Sequence, residues 1–335
     1  NTIVVGPLQE GNSSTAINNT DNAVIVDAGT ASSSGAAYVF RKDGSGNWIQ
    51  DAYLKASNAG EFDFFGKSVA ISGNTIVVGA IEEDSSATVI DNTDNAPLTD
   101  EDTAPASGAA YVLKKDDSGN WIQDAYLKAS NAGSGGSFGI SVSVSNDAIV
   151  VGAYTESSSS TAINNVDNAT IVDEGPAYGS GAVYVFKKDA TGNWLQDAYL
   201  KASNAGADDL FGSSVAISGN TIVVGAYQED NGSTDINNTD NASITDAGTA
   251  SQSGVVYVFK KDDSGNWIQD AYLKASNAGT DDEFGWSVAI SGTIVVVGAF
   301  LEDNSPTAVN NADNATIVDE GTATNSGAAY IFTLK

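Results

Sequence analysis

Short runs of apolar and β-branched residues recur along the chain, each closed by a turn signal. In one copy, FGSSVAISG at 211–219 alternates small polar and apolar residues, and TIVVGA follows directly after the pair Gly219-Asn220. SGVVYVFKK at 253–261 and NWIQDAYLKAS at 266–276 complete the set. Period-2 alternation and β-branched runs predict strands. We therefore expect four strands, A to D, and no helix.

Strand D has the alternation of a half-exposed outer strand. Trp267 and Leu273 share one side, and Ile268 and Lys274 share the other. A lysine on an exposed edge discourages pairing with other sheets. We therefore expect Lys274 and its counterparts to be solvent-exposed.

The pattern repeats every 73 residues without insertion or deletion. Trp48, Trp121, Trp194 and Trp267 keep this period, as do the FG pairs at Phe65, Phe138, Phe211 and Phe284. Four short antiparallel strands per unit predict an all-β protein with the blades of a β-propeller, rather than a β-solenoid. We expect a single domain over 1–335, with blade repeats at about 1–63, 64–136, 137–209, 210–282 and 283–335.

The first and last blades are expected to be incomplete. The chain opens at strand B and closes at strand C, whereas five full units would need 365 residues, 30 more than the 335 present. The difference corresponds to one D–A segment. Three alternatives stay open: a five-bladed ring whose segment is removed or replaced, part of a larger ring, or subunits joined head to tail into a filament.

The amino-acid composition excludes several kinds of functional site and disfavours some partners. The net charge of -29 favours cations or basic partners over nucleic acid and anionic membranes. Because Cys and His are absent, disulfides, thiolate or imidazole metal sites and Ser-His or Cys-His catalysis are excluded. No apolar run is long enough to predict membrane insertion. Met is also absent, so Asn1 is not a translation start and we expect a processed or truncated product.

The combined motifs resemble the FG-GAP repeat, the blade unit of the integrin α-subunit propeller. FGSSVAISGNTIVVGA (211–226), then SGVVYVF and W-x-Q-x-A-x-L-x-A-S, is most similar to a bacterial variety found in large secreted and surface proteins. The resemblance covers the whole chain. It implies a β-propeller, an extracellular or cell-surface location, and adhesion or recognition rather than catalysis.

One departure concerns calcium. The integrin-type repeat has a D-x-N-x-D-G-x-x-D loop between its first two strands, whereas this chain has SGNT at 72–75 and 218–221 and SGT at 291–293. No carboxylate is present there, so the standard calcium site is not carried over.

A polar insert of about 26 residues joins strands B and C, and its copies agree at four positions. Ca²⁺ takes six to eight oxygen ligands, so one interpretation is that each insert folds over a calcium ion. The other is that these residues form Asx turns and cap backbone groups without metal. The candidate ligands are Glu10, Asn19, Asp21, Asp27, Glu83, Asn92, Asp94, Asp100, Glu156, Asn165, Asp167, Asp173, Glu229, Asn238, Asp240, Asp246, Glu302, Asn311, Asp313 and Asp319.

Up-and-down connectivity predicts that the inserts lie on one face of the blades, with the Lys-rich ends of strand C on the other. We therefore expect an acidic, loop-bearing face that contacts a protein or glycan of a cell surface or matrix, or another subunit in a filament.

The alternative function is a lectin with one site per blade. In such a lectin the strand D tryptophans would stack on sugars; the other interpretation is that these tryptophans are packing residues. A glycosidase or lyase is less favoured, because near-identical copies do not build one asymmetric catalytic site. Trp286 breaks the repeat, which would suit an interface or ligand contact or a chance surface change.

Overall fold

The computed structural model describes residues 1–7, 9–26, 29–99, 102–245, 248–303, 310, 317 and 323–334. These residues contain eighteen β-strands and no helix. Within the described part of the chain, therefore, no helix of membrane-spanning length and hydrophobicity is found.

The strands form five antiparallel sheets in chain order, each a simple meander. The first contains β1 (Thr2–Val5), β2 (Ala37–Lys42) and β3 (Trp48–Leu54). The second contains β4 (Ser68–Ser72), β5 (Thr75–Ala80), β6 (Ala109–Lys115) and β7 (Trp121–Leu127). The third contains β8 (Phe138–Ser145), β9 (Ala148–Ala153), β10 (Ala182–Lys188) and β11 (Trp194–Leu200). The fourth contains β12 (Ser214–Ser218), β13 (Thr221–Ala226), β14 (Val255–Lys261) and β15 (Trp267–Leu273), and the fifth β16 (Phe284–Ser291), β17 (Ile294–Ala299) and β18 (Ala328–Thr333).

These sheets confirm the predicted fold class, that of β-propeller blades. The first sheet lacks strand A and the fifth lacks strand D, so both terminal blades are incomplete as predicted. The A–B hairpin of the fourth sheet turns tightly, with Ser218 opposite Thr221. Gly219 supplies the positive φ (58°) that such a turn requires.

Strand D differs from the sequence expectation. A bulge between Val258 and Phe259 shifts the register against Ala271 and Gln269, and both faces of β15 are largely buried. Lys274 is 1% exposed, so the prediction of an exposed lysine was wrong. The alternation pattern could not show this, because the lysine is buried against a specific counter-charge described below.

The chain divides into two compact units. The first comprises Asn1–Ala153, Asp167–Ile171 and Tyr184–Asp197, and its core includes Leu54, Phe65, Ile76, Val78 and Tyr111. The second comprises Tyr154–Val166, Val172–Val183 and Ala198–Lys335. Its core joins Val223, Val256 and Val258 of the fourth sheet to Phe284, Val295 and Val297 of the fifth. The single domain with its blade boundaries stays a prediction.

Candidate functional site: the B–C inserts

The B–C inserts run along the free edge of strand D. Asp91 donates its amide to the carbonyl of Tyr126 at 3.0 Å, and the Tyr126 amide donates to the Asp91 carbonyl at 2.8 Å. The same two-way bridge joins Asn18 to Tyr53, Asn164 to Tyr199 and Asn237 to Tyr272. We call residues 18–22, 91–95, 164–168 and 237–241 the straps. Each strap satisfies backbone groups that an edge strand would otherwise expose.

A second attachment closes each strap. The Asn95 amide donates to the Gln123 carbonyl at 2.9 Å, and the Gln123 amide donates to Asn95 Oδ1 at 3.0 Å. Asn95 has a φ of 49°, a left-handed conformation that Asn tolerates better than most residues. Equivalent pairs occur at Asn22, Asn168 and Asn241. These asparagines are not among the candidate ligands predicted from the sequence.

The side chains of three candidate asparagines form hydrogen bonds with the backbone of a tryptophan 102 residues further along the chain. Asn92 Nδ2 donates to the Trp194 carbonyl at 3.1 Å, and the Trp194 amide donates to Asn92 Oδ1 at 2.7 Å. Asn19 binds Trp121 and Asn165 binds Trp267 in the same way. A side-chain amide thus pairs with the first residue of strand D in the following sheet. These contacts link successive repeats.

The candidate aspartates of the straps form ion pairs. Lys114 Nζ lies 2.9 Å from Asp94 Oδ1 and 2.6 Å from Asp124 Oδ1, so one lysine joins the strap to strand D. The same arrangement occurs for Arg41 with Asp21 and Asp51, Lys187 with Asp167 and Asp197, and Lys260 with Asp240 and Asp270. Because these cations are at the end of strand C, the insert reaches the side on which that strand ends. The predicted separation of the inserts from the Lys-rich ends was therefore wrong. An insert of this length extends along the whole of strand D.

Asp124 has partners besides Lys114. It also accepts the Trp194 indole N–H at 2.9 Å and lies 3.5 Å from Lys188. Burial raises the pKa of Asp124, but the hydrogen bonds and charges of Lys114, Trp194 and Lys188 outweigh this effect and hold the pKa below its ordinary value. The same balance lowers the pKa of Asp51. Both groups are therefore stabilised as carboxylates.

The candidate glutamates lie near the start of the inserts, and Glu83, Glu156, Glu229 and Glu302 are buried. Lys128 Nζ lies 2.8 Å from Glu83 Oε2 and also donates to Ser107 Oγ and the Gly108 carbonyl, each at 2.7 Å. Tyr126 donates to Glu83 Oε1 at 2.6 Å, and Asn58 Nδ2 donates to the same oxygen at 3.0 Å. The ion pair recurs as Lys55–Glu10, Lys201–Glu156 and Lys274–Glu229. Burial lowers the pKa of Lys128, an effect that the attraction of Glu83 offsets only in part.

The described candidate ligands are therefore divided among different contacts. Within the ranges described, no three acidic side chains are grouped so that they could hold one metal ion. Asp27, Asp100, Asp246, Asn311, Asp313 and Asp319 lie outside the described residues. Asp173 is described but is not part of a strap. Calcium binding stays a prediction, and the contacts that are described match the alternative in which the insert closes without metal.

The tryptophans of strand D are packing residues in three copies. Trp121, Trp194 and Trp267 are each 2% exposed, with Lys115, Lys188 and Lys261 about 5 Å from the ring centres. Trp48 and Trp286 are instead about half exposed. Trp286 stacks on Phe300 at 5.0 Å between ring centres and meets Tyr227 edge-on at 4.8 Å.

Exposed valines mark the outer part of the inserts. Val24 is 89% exposed, Val172 73% and Val89 70%, and Val166 is similarly exposed. The constant polar residues face inward to strand D, whereas these apolar side chains face solvent. Exposed apolar residues mark contact surfaces where they form a contiguous patch.

The comparison with protein families agrees with this repeat architecture. The sequence profile of the FG-GAP repeat family matches residues 48–113, 121–186, 194–259 and 267–332, which is most of the chain. A solved structure of "Phage phi92 endosialidase" is similar with a TM-score of 0.37 and 11% identity over 86% of this chain and 40% of that chain. The chain thus spans less than half of that neighbour. No curated protein matches the chain.

Proposed function

Because the chain belongs to the FG-GAP repeat family, we propose that it is a non-enzymatic extracellular or cell-surface propeller acting in adhesion, matrix or surface assembly. The contact surface is the outer part of the B–C inserts. Its partner is a protein or glycan of a cell surface or matrix, or another subunit. The propeller fold itself does not show an enzyme, and the non-enzymatic role is part of the proposal.

The single observation that carries the proposal is that the polar residues of the inserts fasten them to strand D, whereas apolar residues of the inserts are exposed. Asn92, Asn95 and Asp94 are used to fasten the strap. Val89, close to the strap, is exposed. Inserts fastened in this way expose apolar side chains in several copies, at differing positions of the insert, and so offer several weak contacts. Several weak contacts on one chain give high avidity without a single strong site.

The near-identity of the copies supports binding over catalysis. The same lysine–glutamate pair and the same strap are found in four copies. A catalytic centre requires one group in a particular environment, with a pKa fitted to its task. Repeated equal environments instead suit repeated equal contacts.

The test compares adhesion of beads coated with the chain and with a triple variant, Val24→Ser, Val89→Ser and Val166→Ser. The probes are surfaces coated with the same chain, with a neutral polysaccharide, with an acidic polysaccharide and with a basic protein. We expect the wild-type beads to be retained on at least one probe and the variant to lose most of that retention. A matched control replaces Ser45 and Ser118, exposed in the C–D turns, by Ala.

The result would contradict the proposal if the triple variant adhered as well as the wild type, or if no probe retained either. Retention on one polysaccharide alone, sensitive to the insert valines, would favour the lectin alternative. Because Trp121, Trp194 and Trp267 are buried, such a lectin would not stack sugars on them. Bond cleavage in a polysaccharide incubated with the chain would overturn the non-enzymatic role.

A further inference from the structure

A polar cleft lies between the third and fourth B–C inserts, beside the start of β15. It is lined by residues 161, 163 and 165 of the third insert, by 241–243 of the fourth, and by 266–269. Lys201, Ser203 and Asp262 also line it, and all of these residues belong to the second compact unit. Its volume is about 420 Å³, and ligand pockets typically measure about 300–1,000 Å³. We call it the inter-insert cleft.

Hydrogen bonds to one strand hold both sides of the inter-insert cleft in place. On one side, Asn165 pairs with the backbone of Trp267, as described above. On the other, the Asn241 amide donates to the Gln269 carbonyl at 2.7 Å, and Asn241 Oδ1 accepts the Gln269 amide at 3.0 Å. Because both inserts are fixed to β15 two residues apart, the cleft exists before a ligand enters. The cost of ordering it on binding is therefore small.

A buried hydroxyl at the cleft has no hydrogen-bond partner among the described residues. This hydroxyl is Ser203 Oγ, although the Ser203 amide donates to Gln269 Oε1 at 3.3 Å. The equivalent hydroxyls of Ser57 and Ser130 are likewise buried and unpaired within the described chain. Buried polar groups are normally hydrogen-bonded. The three serines thus mark one repeated place for a hydrogen-bonding partner from outside the chain.

Glutamines repeat together with these serines. Gln123 and Gln196 are the counterparts of Gln269, and their buried Nε2 atoms also have no partner in the part of the chain that the structure describes. They follow Ser57 and Ser130 at the same spacing along the chain as Gln269 follows Ser203. The period therefore predicts two further copies of the cleft, one between the first and second inserts and one between the second and third.

The charged groups that line the inter-insert cleft are already engaged by the protein. Lys201 Nζ lies 3.0 Å from Glu156 Oε2. Asp262 Oδ1 accepts the amides of Ser264 and Asn266 at 2.8 and 2.9 Å. The net charge of -29 also repels anions. The cleft therefore favours an uncharged ligand over an acidic one.

The other side chains that line the cleft combine polar and apolar groups. Thr161, Ser243 and Asn266 are exposed and supply hydroxyl and amide groups, whereas Ile163 and Ile268 are partly buried and apolar. A few polar groups beside apolar ones are typical of small-molecule sites. A sugar ring is complementary to such a lining, because its hydroxyls donate and accept hydrogen bonds and its C–H groups are apolar.

We infer that the inter-insert cleft binds a neutral sugar unit of a glycan. Thr161, Ser243 and Asn266 form hydrogen bonds with the sugar hydroxyls, and Ile163 and Ile268 contact its C–H groups. With further copies of the cleft, one glycan chain gains avidity by occupying several of them. The valines tested above do not line this cleft, so the inference does not rest on the proposed contact surface.

Amide NMR spectra of the isotope-labelled full chain test the inference, because each cleft has its own signals. The probes are the methyl glycosides of glucose, galactose, mannose and N-acetylglucosamine, with methyl glucuronide as the acidic match to glucose. We expect at least one neutral sugar to shift the signals of Gln269 and Asn266 saturably. The glucuronide should bind at least about tenfold more weakly than its neutral match, because like charges repel.

Variants that fill one cleft at a time identify the site. Thr161→Tyr places a large side chain in the cleft from an exposed position and should weaken the response of Gln269 at least about tenfold. Thr88→Tyr, the equivalent change in the second insert, should leave the Gln269 response unchanged. Thr239→Tyr is the matched control at an exposed residue that does not line the cleft. Melting temperatures confirm that each variant is folded.

The inference is wrong if none of the neutral sugars shifts the signals of Gln269 and Asn266, or if the glucuronide binds as tightly as its neutral match. It is also wrong if Thr161→Tyr weakens the Gln269 response no more than Thr88→Tyr or Thr239→Tyr does. A sugar response lost in the Val24, Val89 and Val166 triple variant would place the sugar on the exposed valines and overturn it. A response kept in that variant, with bead retention lost, would support the cleft and separate it from the proposed function.

Discussion

The buried lysine of the strap network allows a quantitative test of the fold. Lys128 has no exposed side-chain surface and donates to Glu83, Ser107 and the Gly108 carbonyl. Replacing it by Met leaves the Glu83 carboxylate buried without a cation and removes the donor to two further oxygens. Breaking a buried pair from one side costs about 3–5 kcal/mol, so Lys128→Met should lower the free energy of unfolding by about that amount.

A matched variant isolates burial as the cause. Lys114 also pairs with two carboxylates, at 2.9 and 2.6 Å, but its side chain is 35% exposed. A partly exposed pair contributes about 0–1 kcal/mol, so Lys114→Met should cost much less. Adding Glu83→Gln to Lys128→Met should recover part of the loss, because the unpaired charge is then removed.

Urea unfolding followed by tryptophan fluorescence measures these differences, with hydrogen exchange in β7 to detect unfolding of one sheet alone. Repeat proteins can open in parts, so the local measurement is needed beside the global one. A cost of Lys128→Met no greater than that of Lys114→Met would refute burial as the cause, and so would a Glu83→Gln substitution that destabilises Lys128→Met by its full separate cost.

Three further predictions follow from the straps. Asn92→Ala removes both hydrogen bonds to the Trp194 backbone and should lower the free energy of unfolding in urea by about 1–3 kcal/mol. Asn238→Ala, at the exposed copy, should change it by no more than about 0.5 kcal/mol, and equal losses would contradict the role of the Asn92 side chain. The lowered pKa of Asp124 means that its contribution is present above the unfolded pKa of about 3.9 and is lost as the pH falls through the folded value. Asp124→Asn should therefore unfold less steeply below pH ~4 than the wild type, and an identical acid profile would count against the assignment. If the straps close without metal, the melting temperature should be the same in calcium and in EDTA, since a metal at ~100 times its Kd would add about 2.7 kcal/mol for each site; a large rise in calcium would instead support the metal interpretation.

The repeat itself was predictable from the sequence because the chain keeps one period throughout. Trp48 to Trp267 and the FG pairs fix the register, and turn signals such as Gly219-Asn220 separate the strands. Antiparallel pairing of A with B and of C with D then follows from the short turns between them. The incomplete first and fifth sheets were predicted from the same count.

The partners of the polar residues were not predictable in the same way. Glu83 and Lys128 are 45 residues apart, and Asn92 and Trp194 are 102 apart, so no local pattern relates them. The lysine of strand D was expected at the surface, since lysine is rarely buried unless paired. Constant spacing identified Asn92 and Asp94 as important but not which atoms they contact. The position of the strap along strand D required the three-dimensional arrangement.

The central claim is that the straps at 18–22, 91–95, 164–168 and 237–241 pair with the free edge of strand D in the first four repeats. Amide hydrogen exchange at Tyr126 tests it most directly, because this amide donates to the Asp91 carbonyl of the strap at 2.8 Å. We predict protection of the Tyr126 amide comparable to that of amides in the β6–β7 ladder, with the same result at Tyr53, Tyr199 and Tyr272. Exchange of the Tyr126 amide as fast as in an unfolded chain, with β6 still protected, would contradict the account.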